Sequence, residues 1–184
     1  MQAPGGPGED DSGGFAHGGW SVNYWDDMMG QAMDGIFSGP FDLLLGRKTY
    51  EIFAAHWPFV SAEDPIGQSF NRVAKYVLTR GDETPGWANS HRLPGIDAVA
   101  ALKAGEGPDL IVWGSSTLTP LLIAEQLADE VVLLVFPVLI GRGKRIFSDL
   151  VQPSELTLIE SKATPSGVIV STYKPAGVMR TGSF

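Results

Sequence analysis

The sequence contains no cysteine, which excludes disulfide bonds, zinc–thiolate centres and thiol nucleophiles. Only three histidines occur, His17, His56 and His91, and they form no HExxH pair, so we expect no metal site. Basic residues are scarce: the chain has 13 Lys and Arg and 21 Asp and Glu, which gives a formal net charge of -8. We therefore expect neither a nucleic-acid partner nor an anionic membrane surface as a partner. An anionic ligand would have to be held by local donors.

Long apolar runs are also lacking. No run approaches the ~20 residues that a bilayer-spanning helix needs, and no basic segment precedes an apolar one. We therefore expect a cytoplasmic protein without a membrane partner. The 184 residues, 43% hydrophobic and 18% charged, fit one domain with a sizeable core.

Residues 1–19 are rich in glycine and proline, and their few charges are acidic. This composition predicts an exposed, flexible N-terminal loop outside regular structure. The folded domain is predicted to run over residues 20–184. Its first helix is predicted over 24–37, where apolar residues recur at helical spacing until Gly39 and Pro40 end it.

Strands and helices are predicted to alternate up to about residue 130. The strands are expected at 41–46, at 75–80 and from residue 110, and the helices at 47–57, 66–74 and 95–105. Further strands are expected at 129–141, 155–164 and 167–175, with Ser166 and Gly167 in the last turn. This order indicates an α/β fold, a mostly parallel sheet with helices on its faces and a C-terminal antiparallel hairpin at one edge.

Three predicted strands end in glycine, hydroxyl or basic residues, at the edge where open α/β sheets bind ligands. The first such turn consists of Gly46, Arg47, Lys48 and Thr49. Gly46 permits close approach of a ligand to the backbone, and Thr49 adds a hydroxyl at a helix start. Arg47 and Lys48 oppose the helix macrodipole there unless an anion binds.

The second turn consists of Thr79 and Arg80, which follow an apolar strand. A hydroxyl beside the planar fork of donors of an arginine suits a phosphate monoester. An arginine after a strand is also commonly just solvated. Thr79 and Arg80 therefore support a phosphate site only together with the other two turns.

The third turn precedes a predicted helix, for which Thr119 followed by proline makes a good N-cap. A cap does not explain four small polar residues in a row. Gly114 and Ser115 permit a tight backbone turn, and Ser116 and Thr117 add donors toward an anion. The cap and the anion cradle are therefore both open interpretations.

Three such turns on one sheet edge suit a dinucleotide that carries a 2′-phosphate. Its pyrophosphate would lie at the helix starts and its extra phosphate on Arg80. No GxGxxG fingerprint follows a strand, and no GxxxxGK[ST] motif is present. The sequence therefore disfavours an ordinary Rossmann or P-loop protein.

Four segments in this order, "LLLGRKTYE", "YVLTR", "VWGSSTL" and "FPVLIGRGKRIF", resemble the dihydrofolate reductase-like superfamily. The likeness spans roughly residue 20 to the C-terminus and is nearest to the reductase domain of the riboflavin-biosynthesis deaminase-reductase. It implies a mixed sheet with helices on both faces, and NADPH as cofactor. It places Gly46 to Thr49 at the pyrophosphate, Thr79 and Arg80 at the 2′-phosphate, and Gly114 to Leu118 along the pyrophosphate and nicotinamide.

Two features depart from the superfamily pattern. Dihydrofolate reductases carry Gly-Gly with a cis bond in the third turn, where this chain has Gly114 and Ser115, so the isomer of that bond is left open. Family members also begin with an apolar strand inside the sheet, whereas this chain begins in the loop that would follow it. Either the start of the chain is truncated or misassigned, or the sheet lacks that strand. Of these we expect truncation, and in the chain as given a gap or a substituted edge in the sheet there.

Two functions are compatible with these residues. The first is an NADPH-dependent reductase that transfers hydride to a small heterocyclic or carbonyl substrate, pterin- or pyrimidine-like. Its candidate catalytic residue is Asp27, with Asp26 as the alternative, and a solvated role at the helix start competes with both. Tyr24 and His56 are candidate pocket walls. The second function is a nucleotide-binding or regulatory protein of the same fold without turnover.

The chain is also expected to associate with a second copy. The apolar strand at 129–141, beside a terminal hairpin, would leave an edge that a monomer has to shield. We therefore expect a homodimer with the C-terminal strands near the interface.

Overall fold

The computed structural model describes residues 1–147 and 153–183. The chain divides into two compact units, which we call the parallel-sheet unit (residues 37–119) and the hairpin unit (residues 1–36 and 120–184). The predicted boundary after residue 19 does not coincide with this division and stays a prediction. No helix in the described part of the chain is long and apolar enough to cross a membrane.

Five α-helices and seven strands are present among the described residues. The helices are α1 Asp27–Ile36, α2 Arg47–Ala54, α3 Pro65–Arg72, α4 Ile96–Ala104 and α5 Leu118–Ala124. The strands are β1 Phe41–Gly46, β2 Lys75–Leu78, β3 Ser90–Leu93, β4 Asp109–Ile111, β5 Val131–Val135, β6 Ser154–Ala163 and β7 Ile169–Val178. The predicted alternation, followed by consecutive strands, is confirmed except that β3 follows β2 with no helix between them.

The parallel-sheet unit is built on four parallel strands in the order β3-β2-β1-β4. Central strand β1 is an almost unbroken apolar run, and Leu43, Leu44 and Leu45 in it are buried. That pattern is typical of a strand covered on both faces. The strand β3 was not predicted, because its sequence "SHRL" is mostly polar, as an edge strand tolerates.

The core of this unit is aromatic. The ring of Phe70 on α3 stacks on Phe53 of α2 at 5.8 Å between centroids and meets the edge of Trp57 at 5.0 Å. Phe41 and Val77 bring β1 and β2 into the same cluster. Full burial of such side chains stabilises the fold by about 1.5–3 kcal/mol each, so this cluster holds α2 and α3 against β1 and β2.

A buried lysine begins β2. The side chain of Lys75 is 0% exposed, and its Nζ donates to the carbonyl oxygens of Phe70 at 2.9 Å and Asn71 at 3.2 Å, near the end of α3. The same Nζ lies 4.4 Å from the ring centroid of Trp87. Burial lowers the pKa of Lys75 to about 8, although the charge of Asp42 raises it. Nothing in the apolar pattern of the strand marks this lysine as buried.

The hairpin unit contains a separate antiparallel sheet in the order β5-β7-β6. Its predicted hairpin turn is confirmed, since Gly167 has φ +87° and its N–H donates to the carbonyl oxygen of Thr164 at 2.9 Å. The predicted strand 129–141 is too long, because β5 ends at Val135. Pro137, which follows soon after, has no N–H to give to a sheet ladder.

The described strands pair as the four-stranded parallel sheet and the three-stranded antiparallel sheet that contains the predicted hairpin. β4 is the last strand of the parallel sheet, and β5 is an edge of the antiparallel one. No strand occurs in residues 1–19, as expected. The α/β class and the terminal hairpin are as predicted.

The N-terminal segment is less exposed than its composition predicts. Gln2, Ala3, Asp10 and Phe15 are buried, so the prediction of an exposed loop is wrong for these residues. The amide of Gln2 donates to the carbonyl oxygen of Asp10 at 3.0 Å, and the carboxylate of Asp10 forms an ion pair with Lys144. Polar side chains thus satisfy the loop backbone, which a count of glycine and proline does not reveal.

Candidate cofactor site

The three predicted turns lie at one edge of the parallel sheet. Gly46 ends β1 and pairs in register with Leu78, the last residue of β2, after which Thr79 begins the second turn. β4 runs parallel to β1 on its other side, with Leu43 opposite Ile111, and leads into the third turn. Because the three strands are parallel, all three turns follow their carboxyl ends, where open α/β sheets bind ligands.

The first and third turns are joined by the side chain of Ser115. The backbone N–H of Gly46 donates to Ser115 Oγ at 3.0 Å, and Ser115 Oγ donates to Thr49 Oγ1 at 3.1 Å. Ser115 is buried, whereas Thr49 is half-buried. A Cβ added to Gly46 would lie 3.4 Å from Ser115 Oγ, which is about van der Waals contact, so the two turns lie against each other at this position.

The third turn bends through two successive left-handed residues. Gly114 has φ +68° and Ser115 has φ +58°. Glycine adopts this region freely, but for serine it costs on the order of 1 kcal/mol. No cis peptide bond occurs among the described residues, so the Gly114–Ser115 bond is trans.

Thr119 does not cap α5, and that prediction is wrong. The helix begins at Leu118, and the Thr119 hydroxyl donates to the carbonyl oxygen of Gly114 at 2.7 Å instead of accepting from a helix N–H. The Thr119 N–H donates to the carbonyl oxygen of Ser115 at 3.0 Å. The hydroxyl therefore holds the preceding turn, while Ser116 is half-buried and Thr117 is exposed.

The start of α2 has no capping side chain. Gly46 is the N-cap residue, and no acidic residue occurs in the first turn. By contrast, Asp64 caps α3 by accepting from the N–H of Gly67 at 2.8 Å. The first N–H groups of a helix have no intrahelical acceptor, and they carry the positive end of the macrodipole. An anion at this helix start would meet donors that no side chain uses.

The basic residues of this turn have a simpler explanation than an anion. Arg47 forms an ion pair with Glu51 one turn further along α2, and both side chains are exposed. Such a pair stabilises a helix by a few tenths of a kcal/mol at most, and it offsets the unfavourable position of the arginine. Lys48 is exposed. The conflict with the macrodipole is therefore weaker evidence for an anion than the sequence alone indicates.

The second turn is shaped by its own threonine. The N–H of Gly81 donates to Thr79 Oγ1 at 3.1 Å, and the N–H of Thr79 donates to the carbonyl oxygen of Leu93 on β3 at 3.1 Å. Arg80 is exposed. Arg92, which the sequence did not single out because β3 was missed, donates to the carboxylate of Asp82 at 3.1 Å. Arg92 is thus engaged by the loop, and Arg80 projects from the turn into solvent.

The two candidate carboxylates have different environments. Asp26 caps α1, since its Oδ1 accepts from the N–H of Met29 at 2.9 Å, and its Oδ2 accepts from the N–H of Ser166 at 2.9 Å. These hydrogen bonds, that from Met29 first, lower the pKa of Asp26. Asp27 is the exposed first residue of α1, so its catalytic role stays a prediction. The helix-start role is confirmed for Asp26.

The two candidate pocket walls also have contacts of their own. Tyr24 belongs to the hairpin unit, where its carbonyl oxygen accepts from the hydroxyl of Ser166 at 2.7 Å and its ring meets the edge of Phe136. His56 is exposed in the parallel-sheet unit and lies edge-on to Trp57 at 4.9 Å between centroids. Neither arrangement tests a role toward a substrate.

Comparison with known proteins identifies relatives. A family model described as the RibD C-terminal domain matches residues 11–170. Among curated proteins, the chain is 29% identical over 140 residues to the uncharacterized protein YyaP of Bacillus subtilis strain 168, over 71% of this chain and 72% of that protein. The predicted resemblance to the riboflavin-biosynthesis reductase branch is confirmed.

Solved structures share the fold. A protein from Shewanella sp. PV-4 named for riboflavin biosynthesis has a TM-score of 0.60 and 23% identity, with 84% of this chain and 82% of that chain covered. Dihydrofolate reductase from Enterococcus faecalis, solved in complex with NADP(H) and RAB-propyl, has a TM-score of 0.56 and 12% identity, with coverage of 79% and 81%. At these identities the likeness establishes the dihydrofolate reductase-like fold and nothing finer.

Proposed function

Because the chain belongs to the RibD C-terminal domain family, we propose that it is an NADPH-dependent reductase acting on a small heterocyclic or carbonyl substrate, pterin- or pyrimidine-like. The observation that carries this proposal is the position of three donor-rich turns at the carboxyl ends of three neighbouring parallel strands. The NADP(H) complex of the enterococcal dihydrofolate reductase, which has the same fold, supports the choice of cofactor. NADPH would supply the hydride when bound.

The pyrophosphate would be held between the first and third turns. The uncapped N–H groups at the start of α2 and the hydroxyl of Thr49 are donors of the kind that phosphate oxygens accept. The remaining residues proposed for the pyrophosphate are Gly46, Arg47 and Lys48. Those proposed to lie along the pyrophosphate and the nicotinamide are Gly114, Ser115, Ser116, Thr117 and Leu118. Arg47 would have to exchange Glu51 for the anion, at little cost because that ion pair is exposed.

The 2′-phosphate would be held by the second turn. Arg80 is exposed beyond the end of β2. The hydrogen bonds of Thr79 to Gly81 and Leu93 hold the backbone from which the Arg80 side chain extends. In a chain with a formal net charge of -8, attraction of a phosphate depends on such a local arginine. Arg92 is the other arginine near this turn, but its guanidinium forms an ion pair with Asp82. Arg80 is therefore the arginine that we propose to bind the 2′-phosphate.

Fluorescence titration tests the cofactor assignment, since five tryptophans report on binding. Wild-type protein should bind NADPH more tightly than NADH. Arg80→Ala should weaken NADPH by about 1.5–3 kcal/mol, the range for a hydrogen bond to a charged group, and leave NADH almost unchanged. Arg72→Ala, which removes another exposed arginine of the same unit, is the matched control and should change neither. Equal losses for both nucleotides in Arg80→Ala would contradict the assignment.

Turnover is tested separately with a panel of carbonyl, pterin and pyrimidine substrates, followed by NADPH absorbance. Asp27 is the candidate carboxylate for the substrate, and Asp27→Asn should lower kcat/KM without weakening NADPH binding. Asp26→Asn is a poor test of chemistry, because asparagine can still accept from Met29 but has no second oxygen to accept from the Ser166 N–H. Binding of NADPH without turnover on any substrate of the panel would favour a nucleotide-binding protein over an enzyme.

We also propose that the protein is a homodimer joined through the hairpin. Leu158 and Ile159 on β6 are 52% and 54% exposed, and Val178 at the end of β7 is 82% exposed. Exposed apolar side chains on paired strands favour association. Light scattering at micromolar concentration should give a dimer, which Ile159→Lys should weaken. Thr157→Lys adds the same charge at an exposed polar position of β6 and should not weaken the dimer. A monomeric wild type would refute the proposal.

A further inference from the structure

We propose that Ser115 is a positioning residue, which directs the hydroxyl proton of Thr49 toward the pyrophosphate of the cofactor. The inference rests on the proposed function and deepens it. A serine hydroxyl carries one proton and two acceptor lone pairs. Because Ser115 Oγ accepts from the N–H of Gly46 at 3.0 Å, its own proton is left for Thr49 Oγ1 at 3.1 Å.

The hydroxyl of Thr49 is thereby an acceptor on its protein side. Its own proton has no acceptor among the residues that the structure describes, and the side chain is half-buried at the start of α2. The hydroxyl proton of Thr49 therefore points away from Ser115, toward the space at the start of α2 where an anion would bind. The chain of hydrogen bonds from Gly46 through Ser115 to Thr49 ends in a donor, and each bond polarises the next.

The conformation of Ser115 supports a role for its hydroxyl. Its φ of +58° lies in the left-handed region, which suits glycine better than serine. Ser115 is also buried, so solvation of the hydroxyl does not explain the choice of residue. A non-glycine residue in this conformation indicates that the side chain contributes something that glycine would not. Here the contribution is the bridge between the two turns.

The same bridge decides which donors face an anion. The N–H of Gly46 is used by Ser115, so it is not available to a phosphate oxygen. The available donors of the first turn are the Thr49 hydroxyl and the uncapped N–H groups of α2. Gly46 therefore offers a phosphate no free N–H, and the hydroxyl of Ser115 acts on the cofactor only through Thr49.

A double-mutant cycle on cofactor binding tests this dependence. Thr49→Val keeps the shape of the side chain and should weaken NADPH about tenfold, while Thr49→Ser should retain most of the affinity. Ser115→Ala should weaken NADPH about threefold to tenfold in the wild-type background, since Thr49 loses its fixed donor direction. In the Thr49→Val background, Ser115→Ala should change the affinity little further. Inorganic pyrophosphate, used as a competitor, should lose affinity in the same pattern.

Thermal stability separates positioning from a structural role. Ser115→Gly relieves the left-handed backbone and removes the hydroxyl, so its Tm should stay nearer to that of wild type than the Tm of Ser115→Ala, while its NADPH affinity should fall as in Ser115→Ala. Additive losses of affinity in the double variant, or unchanged affinity in Ser115→Ala, would overturn the inference alone. A wild-type protein that does not bind NADPH would overturn the proposed function as well.

Discussion

Raising the pH from 7 to 9 should stabilise the protein through Lys75. This side chain is fully buried, and its Nζ is held by the carbonyl oxygens of Phe70 and Asn71. Burial lowers the pKa of Lys75 to about 8 from 10.5, against the smaller opposing effect of Asp42. Between these two values the unfolded chain binds more protons than the folded one. The free energy of unfolding therefore rises with pH across this window.

The size of the effect follows from the two pKa values. A shift of one pKa unit corresponds to about 1.4 kcal/mol, and integration between pH 7 and 9 gives a rise of about 1.3 kcal/mol. Well below pH 8 both states are protonated, and above pH 10.5 both are neutral, so the slope vanishes outside the window. Above the window the folded state holds a neutral amine that still donates to both carbonyls.

Urea denaturation at pH 7, 8 and 9 measures this rise. Lys75→Met removes the titrating group, and its curve against pH should lack the contribution of about 1.3 kcal/mol, whatever its absolute stability. The difference between wild type and variant is needed because burial also lowers the pKa of the Met1 ammonium group. Lys48→Met, at an exposed position, should retain the full rise. Parallel curves for wild type and Lys75→Met would refute the reasoning.

Two further predictions concern the hairpin unit. Burial opposes ionisation of Asp10, but hydrogen bonds from Lys144 and Ser12 outweigh it and lower its pKa to about 2. The ionised Asp10 therefore adds about 2 kcal/mol to the free energy of unfolding above pH 4, and this contribution is lost as the pH falls toward 2. Asp10→Asn should flatten that part of the acid-unfolding profile. Gly18→Ala should destabilise strongly, because its Cβ would lie 2.4 Å from the Gly6 carbonyl oxygen. Gly30→Ala in α1, where an added Cβ would contact no other atom, should stabilise the protein by about 0.5–1 kcal/mol. Equal effects of the two substitutions on Tm would contradict the close packing of Gly18 against Gly6.

The sequence by itself determined the features that depend on neighbours in the chain. Apolar runs marked β1 and β2, and the glycine and hydroxyl residues after the strands marked the turns. Since helices intervene between these strands, a parallel sheet follows, and with it the meeting of all three turns at one edge. Ser166 and Gly167 likewise identified the hairpin turn from local chemistry alone. The candidate cofactor site could therefore be predicted as a set of residues.

Only the tertiary structure decided what those residues do for one another. Ser115 accepts from Gly46, 69 positions earlier in the chain, and no local pattern specifies such a partner. Asp10 finds Lys144 in the same way, which orders a segment whose composition predicts exposure. The burial of Lys75 depends on the end of α3 and on the ring of Trp87. Composition and periodicity report what a residue prefers, whereas burial and hydrogen bonding depend on which distant groups the fold places beside it.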